Sequence, residues 1–311
     1  MKHRSTILLL ISLGLFALSG ASCPRGPWSG PFAPPVQPVL PPGATLEQVI
    51  QTVNANNGRV RSFASNDVSL TVPGAPTLRA SVAFCQPRRF RLRAQTAFTG
   101  PELDVGSNGE LFWFWVRRSQ SPAVYYCRHE DFSRSAARRM IPVEPAWLME
   151  AFGTATFDPA LAHQGPRPVA GDRLEVRTVR DTPEGPMTKV TIVDAVRGVI
   201  VEQHAYDTAG QRIASAVVEQ HRRDPLTNLV VPQVVKIDCP RARFSMRVDL
   251  GNVRLNRLDC NDPGLWTIPR IPDAPLVDLG APQPATPSTS PYLGASTRLP
   301  SVYDRRRRRL P

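Results

Sequence analysis

Lysine is nearly absent from this 311-residue chain: it stands at Lys2, Lys189 and Lys236, so almost all of the 38 basic residues are arginine. Aromatic residues make up only 7%. No apolar run reaches the roughly 20 residues that a membrane-crossing helix needs. The motifs Gly-x-Ser-x-Gly, His-Glu-x-x-His and Ser-x-x-Lys are missing, and each would set a nucleophile or metal beside its activating group. A phosphate-cradling glycine loop is missing too, which disfavours nucleotide chemistry. Close Cys/His pairs at zinc spacing do not occur: Cys127 and His129 stand alone, and His163, His204 and His221 fall in differently patterned segments. The expectation is a protein that is not an enzyme and holds neither metal nor cofactor.

The ends of the chain are more explicit. Lys2, His3 and Arg4 precede an apolar run from Ile7 to Leu18 broken only by Ser12 and Gly14, the layout of an export signal. Ser19-Gly20-Ala21-Ser22 then offers small side chains, and Cys23 follows directly. The stretch resembles the lipobox of bacterial lipoproteins. That resemblance implies a signal peptide over 1–22 and a diacylated Cys23 as membrane anchor, since two or more acyl chains hold a protein stably on a bilayer. The alternative is plain secretion with Cys23 as an ordinary thiol. Pro24 stands where lipoproteins retained in the inner membrane often carry aspartate, which favours the outer membrane. Eight prolines between Pro24 and Pro42 favour an extended tether over 23–42.

From 272 to 311 the chain turns to Pro, Ala, Ser and Thr and closes on Arg305, Arg306, Arg307, Arg308 and Arg309. Such a tail buries too little apolar surface to offset its ordering entropy and is expected to be disordered. Its arginine run is a candidate anion-binding site for lipid headgroups or polysaccharide phosphate, or else a solvated end. An exported protein seldom meets nucleic acid. The formal net charge of +12 falls to +10 once Lys2 and Arg4 leave with the signal, and five of those charges sit in the arginine run. The folded part is therefore only mildly basic.

Residues 43–271 remain for one folded domain. Thr45 can cap a helix with Gln48 as its capping-box partner, while Leu46, Val49, Ile50 and Val53 share a face and Gly58 ends it. Beyond Gly58 the period changes to two. Val68, Leu70 and Val72 alternate with polar neighbours, and so do Phe90, Leu92 and Ala94 with Arg91, Arg93 and Gln95. Leu111 to Val116 is apolar on both faces, so something covers each side. A second helix led by Pro145, with Leu148, Ala151 and Phe152 on one side and Gly153 as its stop, is the expected cover.

Six further strands follow between Leu174 and Leu255. In the last of them the apolar residues shift from even to odd positions at Gly251, which predicts a β-bulge. The fold class is mainly β: a strongly curved antiparallel half-barrel of about ten strands covered by two or more helices. Setting Cys23 aside leaves Cys85, Cys127, Cys239 and Cys260, with three possible pairings. A simple meander would put Cys85 and Cys127 at opposite sheet margins, and the connectivity stays open.

This order of parts resembles the LolA/LolB superfamily of periplasmic lipoprotein carriers and outer-membrane receptors. The resemblance is carried by the first helix, by "FCQPRRFRLRAQ" at 84–95, by "SNGELFWFW" at 107–115 and by the Pro-led helix at 145–152. The "YDTAGQR" hairpin at 206–212 and "VPQVVKI" followed by "FSMRVDLGNVRLNRL" add to it. These are soft patterns of hydrophobicity and turns, with no catalytic signature among them. The resemblance implies an apolar cavity under a helical lid that accepts the acyl chains of lipids or lipoproteins, in a cell-envelope protein facing the periplasm. A receptor of this kind uses an exposed apolar loop near its first hairpin, and the turn at 72–77 has no large apolar tip.

The candidate lining is Val68, Leu70, Phe90, Leu92, Trp113, Trp115, Leu148 and Phe152. Alternation puts Phe114 opposite the two tryptophans, and all three can equally be core. Trp147, Leu148 and Phe152 can form a movable lid or the buried side of a helix. The alternative function is an envelope scaffold or sensor that recognises a protein partner and carries no lipid.

Overall fold

The computed structural model describes residues 37–281 apart from 142, 183 and 184. The signal segment, Cys23, most of the tether and the run Arg305 to Arg309 lie outside the described residues.

Helix α1 (Leu46–Asn57) starts on the expected capping box: Gln48 N–H donates to Thr45 Oγ1 at 3.3 Å, and Thr45 N–H donates to Gln48 Oε1 at 2.8 Å. Six strands follow: β1 (Ser62–Thr71), β2 (Leu78–Cys85), β3 (Arg89–Thr96), β4 (Gly100–Ser107), β5 (Leu111–Val116) and β6 (Val124–Arg128). Two short helices, α2 (Ala137–Met140) and α3 (Pro145–Met149), lead into β7 (Ala162–Val169). The chain continues through β8 (Arg173–Thr182), β9 (Gly185–Asp194), β10 (Val199–Tyr206), β11 (Arg212–Arg223), β12 (Val230–Cys239) and β13 (Phe244–Asp249). Two short strands close it, β14 (Arg254–Leu255) and β15 (Leu276–Asp278).

The strands form one large curved open sheet in the order β15-β6-β5-β4-β3-β2-β1-β13-β12-β11-β10-β9-β8-β7, with β14 beside β1. The sheet thus has fifteen strands where the sequence suggests about ten. Pairing is antiparallel except at one margin, where β15 runs parallel to β6.

Alternation separates two faces. The inner face carries the main core, including Val68, Leu70, Val82, Phe84, Phe90, Leu92, Val235, Ile237 and Val248, with Trp147, Met149 and Phe152 packed against it. A second cluster joins Val49 and Val53 of α1 to Phe157, Val176 and Val193. The outer face is roofed over part of its extent by the segment 256–275. There Trp266 packs on Ala83 and Cys85, and Ile268, Ile271 and Ala274 pack on Trp113, Trp115 and Val124. Arg91 fastens this roof: its guanidinium pairs with the Asp104 carboxylate at 2.7 Å and donates to the carbonyls of Gly264, Leu265 and Thr267 at 3.1–3.2 Å.

Four expectations need correction. The phase change at Gly251 ends a strand rather than bulging it. Gly251 has φ +55°, and a Cβ there would lie 1.9 Å from the Asp67 carbonyl oxygen, so the chain breaks and resumes as β14. The irregularity sits instead in β1, whose pairing with β2 shifts between Ser65 and Val68. Strand β7 escapes the sequence reading because Gly165, Pro166 and Pro168 look like loop; at a sheet margin proline is tolerated, having no ladder bond to lose on the open side.

Both limits of the folded part also move outward. Val39 and Leu40 donate to the carbonyls of Val196 and Ala195, and Leu40 is buried, so the last tether residues are docked. Past 271, β15 pairs with β6 and Leu279 N–H donates to Tyr126 O at 2.8 Å. The open cysteine question resolves as a Cys85–Cys260 disulfide, with Cys127 and Cys239 buried as free thiols.

Candidate functional site

Between the inner face of the sheet and helix α3 lies an apolar cavity of about 190 Å³. Strands β3 to β5 supply Phe90, Leu92, Leu103, Val105, Phe112 and Phe114; β12 and β13 supply Ile237, Cys239, Phe244 and Met246. Trp147, Leu148 and Met149 of α3 close the other side. Ser107 and Glu144 are its polar neighbours, so the interior offers dispersion contacts and little hydrogen bonding. The buried indole N–H of Trp147 has no acceptor among the described residues. Burial, and after it the Asp238 charge, pushes the Cys239 thiol up to about 11, so this cavity thiol stays protonated.

Of the eight residues expected to line a cavity, Phe90, Leu92, Trp113 and Leu148 border it. Val68, Leu70 and Phe152 do not; they pack in the adjoining core, Phe152 stacked on Phe90 at 5.6 Å between ring centroids. Trp115 is a clear correction. With the ring of Trp113 it packs under the outer roof, while Phe112 and Phe114 point inward. Because β5 is apolar on both faces, its pattern alone does not say which parity looks in.

Helix α3 is pinned at both ends. Arg180 of β8 pairs with Glu144 at 2.6 Å, and Lys189 of β9 pairs with Glu150. A wide turn at Glu150–Thr154 follows, and Gly153 there has φ +96°; a Cβ at that position would lie 2.3 Å from Pro232 Cδ. Helix α3 also borders a polar groove of about 400 Å³, together with Arg88, His129, Glu130, Arg138, Arg180 and Asp181. Glu144, Pro145 and Met149 border both spaces. Burial holds the His129 pKa below the usual histidine value, opposed by its bond to the Asn108 carbonyl at 3.1 Å. No group of three or more His, Cys, Asp or Glu side chains among the described residues is arranged to hold a metal.

One exposed feature was missed in the sequence. Phe98, at the tip between β3 and β4, is 99% exposed. An aromatic flanked by Thr96, Ala97, Thr99 and Gly100, in a turn where no strand alternation accounts for it, was the available signal.

No family model matches this sequence, and no curated protein matches it. Among solved structures, the chain is similar to one described as an outer membrane lipoprotein-sorting protein domain from Vibrio parahaemolyticus. The TM-score is 0.48 and the identity 10%, over 69% of this chain and 94% of that one. It is also similar to a LolA superfamily protein from Nitrosomonas europaea, with TM-score 0.46 and 13% identity over 72% and 97% of the two chains. A DUF1329 family protein from Desulfovibrio piger gives TM-score 0.46 and 11% identity over 71% and 99%.

Proposed function

We propose that this chain is a cell-envelope protein, lipid-anchored through Cys23 and facing the periplasm from the outer membrane. In this reading it binds acyl chains of lipids or lipoproteins in the cavity beneath α3 and takes part in their handling. The observation that supports this reading is the cavity itself, because apolar space of about 190 Å³ is a cost to the fold unless something fills it. An engineered apolar cavity of about 150 Å³ stays dry and takes up a benzene-sized guest. The space under α3 is of that order, so it suits a segment of one chain, and bulkier cargo requires α3 to give way. The ion pairs at Glu144 and Glu150 are the contacts such a movement would break.

The test is displacement of a fluorescent fatty acid from the full chain by a native envelope lipid extract. Saturable displacement that is lost when Leu148→Trp fills the space is expected. Absence of saturable binding by a folded protein would remove acyl carriage and leave the tethered scaffold or sensor.

A further inference from the structure

The outer face of the sheet is divided into a roofed and a bare part. Towards the turn at 108–110 the segment 256–275 covers it. Towards Phe98 it carries Arg93 and Gln95 on β3, Arg79 on β2, Ser69 and Thr71 on β1, Arg247 on β13 and Lys236 on β12, all exposed. Each alternates with a buried inner residue such as Leu92, Ala80, Leu70, Val248 or Ile237, which fixes these side chains on one face.

Register brings the cations together. Lys236 stands directly opposite Arg247, and Arg247 opposite Thr71. Arg79 stands between Ser69 and Gln95, and Arg93 opposite Ser81. At about 4.8 Å per strand, the band from β12 to β3 is roughly 19 Å wide.

Little acid answers it. Arg247 pairs with Glu219 at 2.8 Å, but Arg79, Arg93 and Lys236 make no ion pair among the described residues. Of the carboxylates on this face, Asp104 is engaged by Arg91 and Asp249 by Gln233 and the Gly251 N–H, which leaves Asp238, two residues from Lys236 on β12, as the acid beside the patch. Lys236 and Arg247 face each other across two strands, a like-charge arrangement that costs stability; Glu219 offsets it at Arg247, while Lys236 has no ion-pair partner among the described residues.

From this we propose that the bare outer face docks on an anionic lipid leaflet, with Phe98 entering the interface at the end of β3. Charge alone fits any polyanion. Lipid is selected because the same end of the sheet offers a fully exposed aromatic ring, which an interface accepts and a soluble acidic chain does not need. The inference goes beyond the acyl cavity and does not depend on it.

The test uses the full chain carrying Cys23→Ser, so that no acyl anchor contributes, and vesicles with or without phosphatidylglycerol. Binding should need the anionic lipid and weaken with salt. At about 1 kcal/mol per surface cation, the combined Arg79→Gln, Arg93→Gln and Lys236→Gln variant should bind about a hundredfold more weakly, with an unchanged circular dichroism spectrum. Phe98→Ser should weaken binding while keeping its salt dependence. Unchanged binding by the triple variant would overturn the proposal and leave attraction to the arginine tail. Equal binding to zwitterionic vesicles would also overturn it. Tight binding of soluble polyphosphate that is indifferent to Phe98→Ser would replace lipid with a soluble polyanion.

Discussion

The ring of Trp113 lies flat across Gly106 on the neighbouring strand, so close that a Cβ at residue 106 would come within 2.1 Å of it. The close approach lets Trp113 sink fully into the outer layer, donate its indole N–H to Asp104 at 3.0 Å and lie under the Arg91 guanidinium, 5.5 Å from the ring centre. Gly106→Ala should therefore destabilise the fold by about 1–3 kcal/mol through overpacking, read as a lower denaturant midpoint. An unchanged midpoint would mean that the ring moves aside freely.

The Cys85–Cys260 bridge joins residues 175 apart and ties the start of the outer roof to β2. Closing so long a loop restricts the unfolded chain strongly, so replacing both cysteines with alanine should cost about 2–5 kcal/mol. Removal should also free Trp266, and its fluorescence should shift to the red before the rest of the domain unfolds. Coincident transitions would show that Arg91 and the packing of Ile268 and Ile271 on Trp113 and Trp115 hold the roof without the bridge.

His129 and His221 are both held below the ordinary histidine pKa, chiefly by burial. The unfolded chain therefore binds more protons than the native one as pH falls below the unfolded value of about 6.5. Stability from these groups is complete above that pH and is lost as pH drops towards the folded values. Thermal midpoints should fall between about pH 7 and pH 5, and His221→Gln, which can still donate to the Ile200 carbonyl, should flatten that slope. A slope identical in the variant would remove His221 from the account.

With its pKa pushed up to about 11, Cys239 carries very little thiolate at mildly alkaline pH, about one part in a thousand at pH 8. Alkylation of the native protein should spare Cys239 until denaturant is added, as followed by mass spectrometry of peptides. Rapid modification in the native state would show that α3 opens and admits solvent to the cavity.

Much of this architecture is legible in one dimension because its causes are local. Thr45 and Gln48 announce the capped helix, and the alternation at Phe90, Leu92 and Ala94 against Arg91, Arg93 and Gln95 assigns inner and outer faces of β3. Gly251 marks the point where apolar parity changes, although whether the strand bulges or breaks depends on Asp67, far away in sequence. The site is less legible. Phe114 and Trp115 are equally apolar neighbours, and which one looks into the cavity follows from which face receives α3 and which receives the 256–275 roof.

By itself, then, the sequence determined most of the secondary elements, their two-faced character and the presence of a helix to cover the sheet, since hydrogen-bond capping and side-chain alternation act over a few residues. The pairing of Cys85 with Cys260, the docking of β7 and β15 at the sheet margins, the inward turn of Phe112 and Phe114 and the size of the space beneath α3 were decided only in three dimensions. Each depends on which segments pack against one another in space, and such packing leaves no period in the chain.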